Sequence, residues 1–159
     1  ISEKLADFSF SGNVTLVRSQ VDMTDREFNA RKNYEKDGQN IDDRRPMAGQ
    51  APYVINAGIT YKNVEKAFQA GLFYNVKGPA LQIVGTGLYP DVYQEPFHSL
   101  NLGVNKKLGE EGNTTVDFKV SNLLGDRVES FFQSYEAEKQ IFSSFNPGRA
   151  FSIGLSHKF

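Results

Sequence analysis

The chain has 159 residues, and its 18 Lys and Arg against 19 Asp and Glu give a formal net charge of −1 at pH 7. This balance provides no long-range attraction for nucleic acid, so we expect no nucleic-acid partner. The absence of cysteine excludes disulfides and thiolate metal sites. Hydrophobic residues make up 39% of the chain, and no apolar run approaches the roughly 20 residues of a membrane-spanning helix.

Six segments alternate between apolar and small or polar residues, with the period of two that a β-strand requires. In chain order, the predicted strands are Phe8–Leu16, Tyr53–Tyr61, Phe68–Lys77, Ser99–Asn105, Thr115–Ser121 and Arg149–Phe159. Each has one apolar face, and its other face is mainly Ser, Thr, Asn, Gln, Gly or charged. The sequence therefore predicts an all-β, antiparallel structure, although a soluble sandwich would also give this alternation.

The connections between these strands alternate strictly between short and long. Residues 62–66 and 109–113 are tight links, whereas the long connections cover roughly 22–51, 80–96 and 125–148. Connections in soluble domains have a median length of about 4–6 residues. Short turns at one end and long loops at the other are typical of bacterial outer-membrane β-barrels, whose long loops are extracellular.

The last predicted strand places Phe151, Ile153, Leu155 and Phe159 on its apolar face. A closing strand with a terminal aromatic residue resembles the signal that the outer-membrane assembly machinery recognises by strand addition. The alternative is that Phe159 is only the last ring of an aromatic girdle. With Phe159 at the periplasmic rim, both tight links are periplasmic and all three long loops are extracellular.

Six strands are too few to close a membrane-spanning barrel, since known barrels start at about 8 strands. An open edge in lipid would leave backbone N–H and C=O groups without hydrogen-bond partners. We therefore expect residues 1–159 to be the carboxyl-terminal part of a larger transmembrane β-barrel. The remaining strands would lie in another segment, and no plug domain is expected in this one.

Five segments of the chain carry a family resemblance: Arg45–Tyr61 (RPMAGQAPYVINAGITY), Tyr74–Gly78 (YNVKG), Glu95–Leu102 (EPFHSLNL), Ser121–Gly125 (SNLLG) and Pro147–Phe159 (PGRAFSIGLSHKF). In this order they resemble the carboxyl-terminal barrel region of TonB-dependent outer-membrane receptors, especially those of Bacteroidota. The resemblance implies a barrel of about 22 strands, of which these would be the last six. It also implies a plug inside the lumen, energy from the TonB–ExbB–ExbD complex and a location in the bacterial cell outer membrane.

Four charged residues are predicted on the lumen faces of their strands: Lys77, Asp117, Lys119 and Lys158. These side chains are candidates for contacts with the plug or with a polar substrate. The alternative is a solvated wall in which opposite charges compensate each other. Six aromatic residues in the long loops are candidates for extracellular cargo contacts: Tyr34, Tyr89, Tyr93, Phe131, Phe132 and Tyr135. Packing of the loops against themselves is the alternative for these rings.

No segment of the sequence indicates a metal site, a cofactor or catalysis. Residues 37–43 resemble part of a calcium loop but lack the acidic residue that would close it, so we expect a solvated charged loop. His98 and His157 have no partner at zinc-ligand spacing. Because a Gly-x-Ser-x-Gly elbow is also absent, we expect a protein that is not an enzyme.

The sequence thus favours part of a TonB-dependent receptor that binds a nutrient outside and imports it across the outer membrane. The nutrient classes left open are siderophore, vitamin, glycan and peptide. A second hypothesis is an outer-membrane barrel that anchors a surface lipoprotein or forms part of a secretion complex. A third is a soluble β-sandwich that binds carbohydrate.

Overall fold

The computed structural model describes residues 7–109 and 112–159, and these fold into antiparallel β-sheets with one short helix. In chain order the elements are β1 (Phe8–Leu16), β2 (Gln20–Asp22), α1 (Asp25–Lys32), β3 (Arg44–Pro46), β4 (Tyr53–Asn63), β5 (Phe68–Lys77), β6 (Ala80–Ile83), β7 (Asp91–Gln94), β8 (Phe97–Leu108), β9 (Thr114–Ser121), β10 (Val128–Gln133), β11 (Gln140–Phe145) and β12 (Ala150–His157). Across the described ranges, no helix has the length and apolar character needed to cross a membrane. The predicted all-β, antiparallel class is confirmed.

The largest sheet, called the main sheet below, has six strands in the order β1-β4-β5-β8-β9-β12. These are the six predicted strands, and each pairs antiparallel with its neighbour in sequence. The fourth is longer than predicted, at Phe97–Leu108, and the sixth ends at His157 rather than at Phe159. Strands β1 and β12 form the two edges, so the sheet is open within the described residues.

The register of the main sheet collects every predicted apolar face on one surface. One row across the sheet consists of Phe10, Ile59, Leu72, Leu102, Val120 and Phe151. A row of the opposite parity consists of Ser9, Thr60, Gly71, Gly103, Lys119 and Ser152. Since a slip of one residue in any pair would exchange the faces of that strand, the alternation itself specifies this register.

Phe73 is an aromatic residue on the polar face, and its ring packs over two glycines. Gly58 is its partner on β4, and Gly71 lies two residues before it on β5. A Cβ built on Gly58 would lie 2.9 Å from Cδ1 of Phe73, and one on Gly71 would lie 2.7 Å from its Cε2. The ring therefore occupies space that any larger residue at Gly58 or Gly71 would need. Covering strand glycines with an aromatic ring compensates for their weak packing.

The tight link between β4 and β5 is closed by hydrogen bonds within the turn. Asn63 Oδ1 accepts a hydrogen bond from the Lys66 amide at 2.8 Å, and the Ala67 amide donates to the Val64 carbonyl at 3.1 Å. Ala67 has a positive φ of 45°. In the other predicted link, residues 110 and 111 lie outside the described part of the chain, and Gly109 and Gly112 beside them have positive φ.

Each long connection continues its own strand pair beyond the main sheet as a second hairpin. Strands β2 and β3 extend β1 and β4, strands β6 and β7 extend β5 and β8, and strands β10 and β11 extend β9 and β12. The last two hairpins join through β7 and β10 into a four-stranded sheet of order β11-β10-β7-β6. Residues 17–52, 78–96 and 122–149 together are called the loop layer below. The sequence predicted only the length of these connections, not their strands.

Asn122 joins the loop layer to the main sheet. It is buried, with a positive φ of 53° that Asn tolerates better than most residues. Its side-chain amide donates to the carbonyls of Asp126 at 3.1 Å and Gly148 at 2.9 Å, and its Oδ1 accepts from the Asp126 amide at 3.1 Å. Its own backbone amide donates to Asn101 Oδ1 on β8 at 3.1 Å. One side chain thus holds the start and the end of the third long connection together.

Candidate functional site

A cavity of about 370 Å³ lies where the three long connections meet, and it is called the loop cavity below. Its walls come from α1 and the segment that follows it, from the β6–β7 turn and from the β10–β11 turn. Three of the six predicted cargo contacts line it, namely Tyr34, Tyr89 and Tyr135. Each of these tyrosines belongs to a different connection, so the fold brings together residues that are far apart in sequence.

Two of the cavity tyrosines expose their rings, and the third is fixed through its hydroxyl. Tyr34 is 55% exposed and Tyr89 is 74% exposed. The Tyr135 hydroxyl donates to the Gly38 carbonyl at 3.0 Å. Gly87 has a φ of 59°, and a Cβ built there would lie 3.3 Å from Cε2 of Tyr34. The Tyr34 ring therefore lies close to the backbone of the β6–β7 turn.

A paired Arg31 and Asp91 connect helix α1 to the second long connection. Arg31 Nη1 donates to Asp91 Oδ2 at 3.1 Å, and Nη2 donates to Oδ1 at 2.8 Å. Nη2 also donates to the Gly85 carbonyl at 3.1 Å, and the Gly85 amide donates to Asp91 Oδ1 at 2.7 Å. The hydrogen bond to Asp91 raises the pKa of Arg31 against the opposing effect of burial. This two-point geometry is the strong form of an ion pair.

Two further arginines of the cavity wall are also paired with carboxylates. Arg45 Nε lies 2.7 Å from Glu27 Oε1, and both side chains are largely buried. Arg44 Nε lies 2.9 Å from Asp22 Oδ1 in an exposed pair between β2 and β3. The Arg45–Glu27 pair fastens α1 to β3, whereas the exposed Arg44–Asp22 pair contributes little to stability.

Lys36 is the fourth cation of the cavity wall, and its described partners are neutral oxygens. Its Nζ donates to Ser134 Oγ at 3.3 Å and to the Tyr135 carbonyl at 3.1 Å. These bonds link the first long connection to the third. Together with the Arg31–Asp91 pair between the first and the second, they hold the three walls of the cavity to one another.

The acidic segment 37–43 contributes Asp42 to the cavity wall. Its carboxylate accepts from the Arg44 amide at 3.3 Å. A hydrogen bond between Asp42 and Asp43 lowers the pKa of Asp42 and raises that of Asp43. Among the described residues, no group of three or more His, Cys, Asp or Glu side chains is arranged to hold a metal ion.

The other three predicted cargo contacts lie outside the loop cavity. Tyr93 on β7 is half-buried and lines a separate pocket of about 300 Å³ with Leu81. Burial, followed by the charge of Asp91, raises the pKa of Tyr93. The Phe132 ring packs edge-on against Phe142 with centroids 5.2 Å apart. Lys139 Nζ lies 5.8 Å from the centroid of the Phe131 ring. The contacts of Phe131 and Phe132 thus lie within the loop layer, and Tyr93 lines a pocket of its own.

The four predicted lumen residues do not form one cluster. Asp117 and Lys119 share a shallow pocket on the polar face, where Asn105 Nδ2 donates to Asp117 Oδ1 at 2.8 Å. Lys77 is at the other end of the sheet in β5, and Lys158 follows β12, where its amide donates to the Asn113 carbonyl at 2.9 Å. Any plug contact through these residues would therefore be spread along the sheet.

The four residues predicted as an assembly signal are exposed on or just beyond an edge strand. Phe151, Ile153 and Leu155 are 66%, 77% and 74% exposed on β12, and Phe159 is exposed after its end. The His157 ring packs edge-on against Phe159 with centroids 4.8 Å apart. One edge of β12 is paired with β9, and the other has no pairing strand among the described residues.

The sequence did not single out the polar groups that hold the loop cavity together. Arg31 and Asp91 are 60 residues apart, and neither is part of a periodic pattern. The local signal in the sequence was the pair of glycines in residues 84–90 (VGTGLYP), which indicates a tight turn before Asp91. In the structure this turn leaves no room for a side chain at Gly85, where a Cβ would lie 2.2 Å from the Tyr89 carbonyl oxygen. In comparisons with known proteins, no family model, curated protein or solved structure matches this chain.

Proposed function

We propose that this chain is the carboxyl-terminal barrel part of a TonB-dependent outer-membrane receptor that binds a nutrient and imports it across the bacterial outer membrane. The observation that supports this most is the register of the main sheet. All six strands turn most of their apolar residues to one surface and most of their small and polar residues to the other, with Phe73 and Lys106 among the exceptions. Lipid outside and water inside would require this division.

The exposure of the apolar face supports a lipid environment. Phe10, Leu16 and Ile153, on the edge strands β1 and β12, are each more than 70% exposed there, whereas Val76 and Val120 on inner strands are buried. Folded proteins in water rarely expose contiguous apolar patches larger than a few hundred Å². In a bilayer the same face is in contact with acyl chains, so its exposure has no hydrophobic cost.

The two open edges support a barrel larger than these six strands. In lipid, the backbone groups on the free sides of β1 and β12 would each need a hydrogen-bond partner, at a cost of several kcal/mol per unpaired group. Additional strands between β12 and β1 would supply these partners. The polar face would then line a lumen, where Asp117 and Lys119 could contact a plug.

The two ends of the main sheet support an assignment of sides. The described turn between β4 and β5 is short, and the three long connections fold into the loop layer at the opposite end. In outer-membrane barrels the short turns are periplasmic and the long loops extracellular. The loop layer would then capture cargo outside the cell, and import would depend on the TonB–ExbB–ExbD complex.

The proposal is tested by locating the protein and measuring TonB-dependent uptake. We expect it in the outer-membrane fraction, with faster gel migration before heating than after, and with nutrient uptake that requires an intact TonB complex. Heat-dependent mobility without TonB-dependent uptake would instead support the anchor hypothesis. A monomer that unfolds cooperatively in water without detergent would contradict any barrel and support the sandwich.

A further inference from the structure

We propose that the loop cavity binds an uncharged, polyhydroxylated ligand of the saccharide class. This inference names the cargo of the proposed receptor and therefore rests on the proposed function, because the cavity must face the outside. Its volume of about 370 Å³ is near the lower end of the roughly 300–1,000 Å³ of small-molecule sites. The cavity therefore has room for one or two sugar rings rather than for a long chain.

The tyrosines supply the flat surfaces on which a sugar ring can lie. Tyr34 and Tyr89 both line the cavity and are each more than half exposed, and they come from different connections. Tyrosine offers a large amphipathic surface with few rotatable bonds, so little conformational entropy is lost on binding. Tyr34 is further restricted by its proximity to Gly87, where even a Cβ would lie 3.3 Å from the ring. The Tyr34 ring is therefore largely in place before a ligand arrives.

The charges around the cavity are compensated, which disfavours an anionic ligand. Of the four cations in the wall, Arg31, Arg44 and Arg45 each pair with a carboxylate at 2.9 Å or less. The fourth cation, Lys36, also lines the cavity, and its hydrogen-bond partners among the described residues are neutral. An anion would have to break existing pairs or depend on this one exposed ammonium group. Paired charges also produce little of the field that steers charged ligands.

The polar groups of the wall suit hydroxyl groups, which both donate and accept hydrogen bonds. The amide side chains of Gln39, Asn40 and Gln133 line the cavity. Each carries two donor hydrogens and an acceptor oxygen, and Gln39 Oε1 already accepts from the Lys36 amide at 3.1 Å. Adjacent hydroxyls of a sugar can satisfy an amide through both kinds of bond. A purely apolar or purely anionic ligand would leave some of these groups without partners.

The experiment is a binding assay on the full-length receptor purified in detergent, using isothermal titration calorimetry. The probes are a panel of neutral mono- and disaccharides, a matched set of uronic-acid and phosphorylated sugars, and an apolar aromatic compound. We expect binding by at least one neutral sugar, with little change in affinity as salt is raised. Tyr34→Ala and Tyr89→Ala should each weaken it about tenfold or more.

Matched variants separate ring contact from general damage to the loops. Tyr89→Phe keeps the ring face and should change the affinity by less than about threefold. Phe145→Ala removes another exposed aromatic ring of the loop layer that does not line the cavity, and it should leave the affinity unchanged. Heat-dependent gel mobility of every variant shows that the barrel is folded.

Several results would overturn the inference. They are binding confined to the charged sugars or to the apolar compound, neutral-sugar affinity that is unaffected by both alanine variants, and no binding by any probe to a folded receptor. Each of these would leave the proposed function intact as long as TonB-dependent uptake and heat-dependent mobility remain. A water-soluble product without heat-dependent mobility would instead overturn the proposed function itself.

Discussion

The main sheet and the loop layer use their hydrophobic residues in opposite ways. In the loop layer, Leu81 and Val92 are 1% and 2% exposed, and they lie inside packed short strands. In the main sheet, Leu16 and Leu155 are 78% and 74% exposed on a face of regular alternation. The loop layer therefore builds a core of the kind found in soluble proteins. The edge strands of the main sheet instead present their apolar side chains to the surroundings, while Val76 and Val120 on its inner strands are buried.

The two regions also differ in where their ion pairs lie. All six ion pairs among the described residues join residues of the loop layer, and Arg31–Asp91 is the pair with the most contacts. The main sheet instead joins neutral amides across its polar face, as in the hydrogen bond from Asn56 Nδ2 to Asn13 Oδ1 at 2.6 Å. Ion pairs can determine how irregular loops meet, whereas the strands of the main sheet are held in position by backbone hydrogen bonds.

The largest expected effect comes from placing a charge on the apolar face of the main sheet. Leu102 lies in the middle of β8, between Leu72 and Val120. If this face is in lipid, Leu102→Arg should lower the free energy of unfolding by about 2–4 kcal/mol near the bilayer midplane. The measurement is urea unfolding of the receptor in lipid vesicles, followed by heat-dependent gel mobility.

The matched control for this substitution is the next residue, Gly103→Arg. Gly103 is on the polar face, and a Cβ built there meets nothing within 4 Å. Asn101, the residue before Leu102, is also on the polar face. It is a less suitable control because its Oδ1 accepts a hydrogen bond from the Asn122 amide. Equal destabilisation by Leu102→Arg and Gly103→Arg would show that the two faces are in similar surroundings, which contradicts the proposed lipid and lumen sides.

A smaller effect is expected where the two regions join, at Asn122. Asn122→Ala removes three side-chain hydrogen bonds. It also leaves alanine at a positive φ that these bonds no longer stabilise. The expected loss is about 2–3 kcal/mol, from about 0.5 kcal/mol for each of the three bonds and a backbone cost of about 1 kcal/mol. Hydrogen exchange of residues 122–149 measures it, since opening of this connection need not unfold the sheet.

Asn122→Gly separates the two causes of this loss. Glycine adopts the positive φ without strain but makes none of the side-chain bonds, so its cost should be smaller than that of alanine. If the alanine and glycine variants exchange as slowly as the natural protein, Asn122 does not hold the junction and the regions are coupled elsewhere.

The main sheet could be predicted from sequence because its constraint is local and repeated. Phe68–Lys77 alternates over ten residues, and the pattern survives one exception, Phe73 on the polar face. Once the strands are recognised, the short 62–66 link makes β4 and β5 neighbours and leaves little choice of register. The six strands and their two faces follow from this local information alone.

The loop layer could not be predicted in the same way, because its strands are short and its contacts are distant. Ala80–Ile83 and Asp91–Gln94 have four residues each, too few for a period to be visible. Arg31 and Asp91 lie in the first and the second long connections, so they meet only after both connections have folded. The tyrosines of the cavity were candidates because they are aromatic, and nothing in the sequence separated Tyr89, at the cavity, from Tyr93, which is packed on β7.

The smallest expected effect tests the core of the loop layer through the pH dependence of Tyr93. Burial and the nearby Asp91 raise the pKa of Tyr93 in the folded state above the ordinary value of about 10. The folded state therefore holds this proton more tightly than the unfolded state. The contribution is fully present below about pH 10 and is lost as the pH rises through the folded pKa.

Tyr93→Phe should remove this part of the alkaline destabilisation, and Tyr89→Phe serves as the control for loss of an exposed tyrosine hydroxyl. Urea unfolding of the loop layer between about pH 9 and pH 12, on either side of the ordinary tyrosine pKa, measures the difference. Identical pH profiles for the natural protein and Tyr93→Phe would show that Tyr93 is as solvated as a tyrosine on an open loop, and the loop layer would then lack the packed interior that distinguishes it from the main sheet.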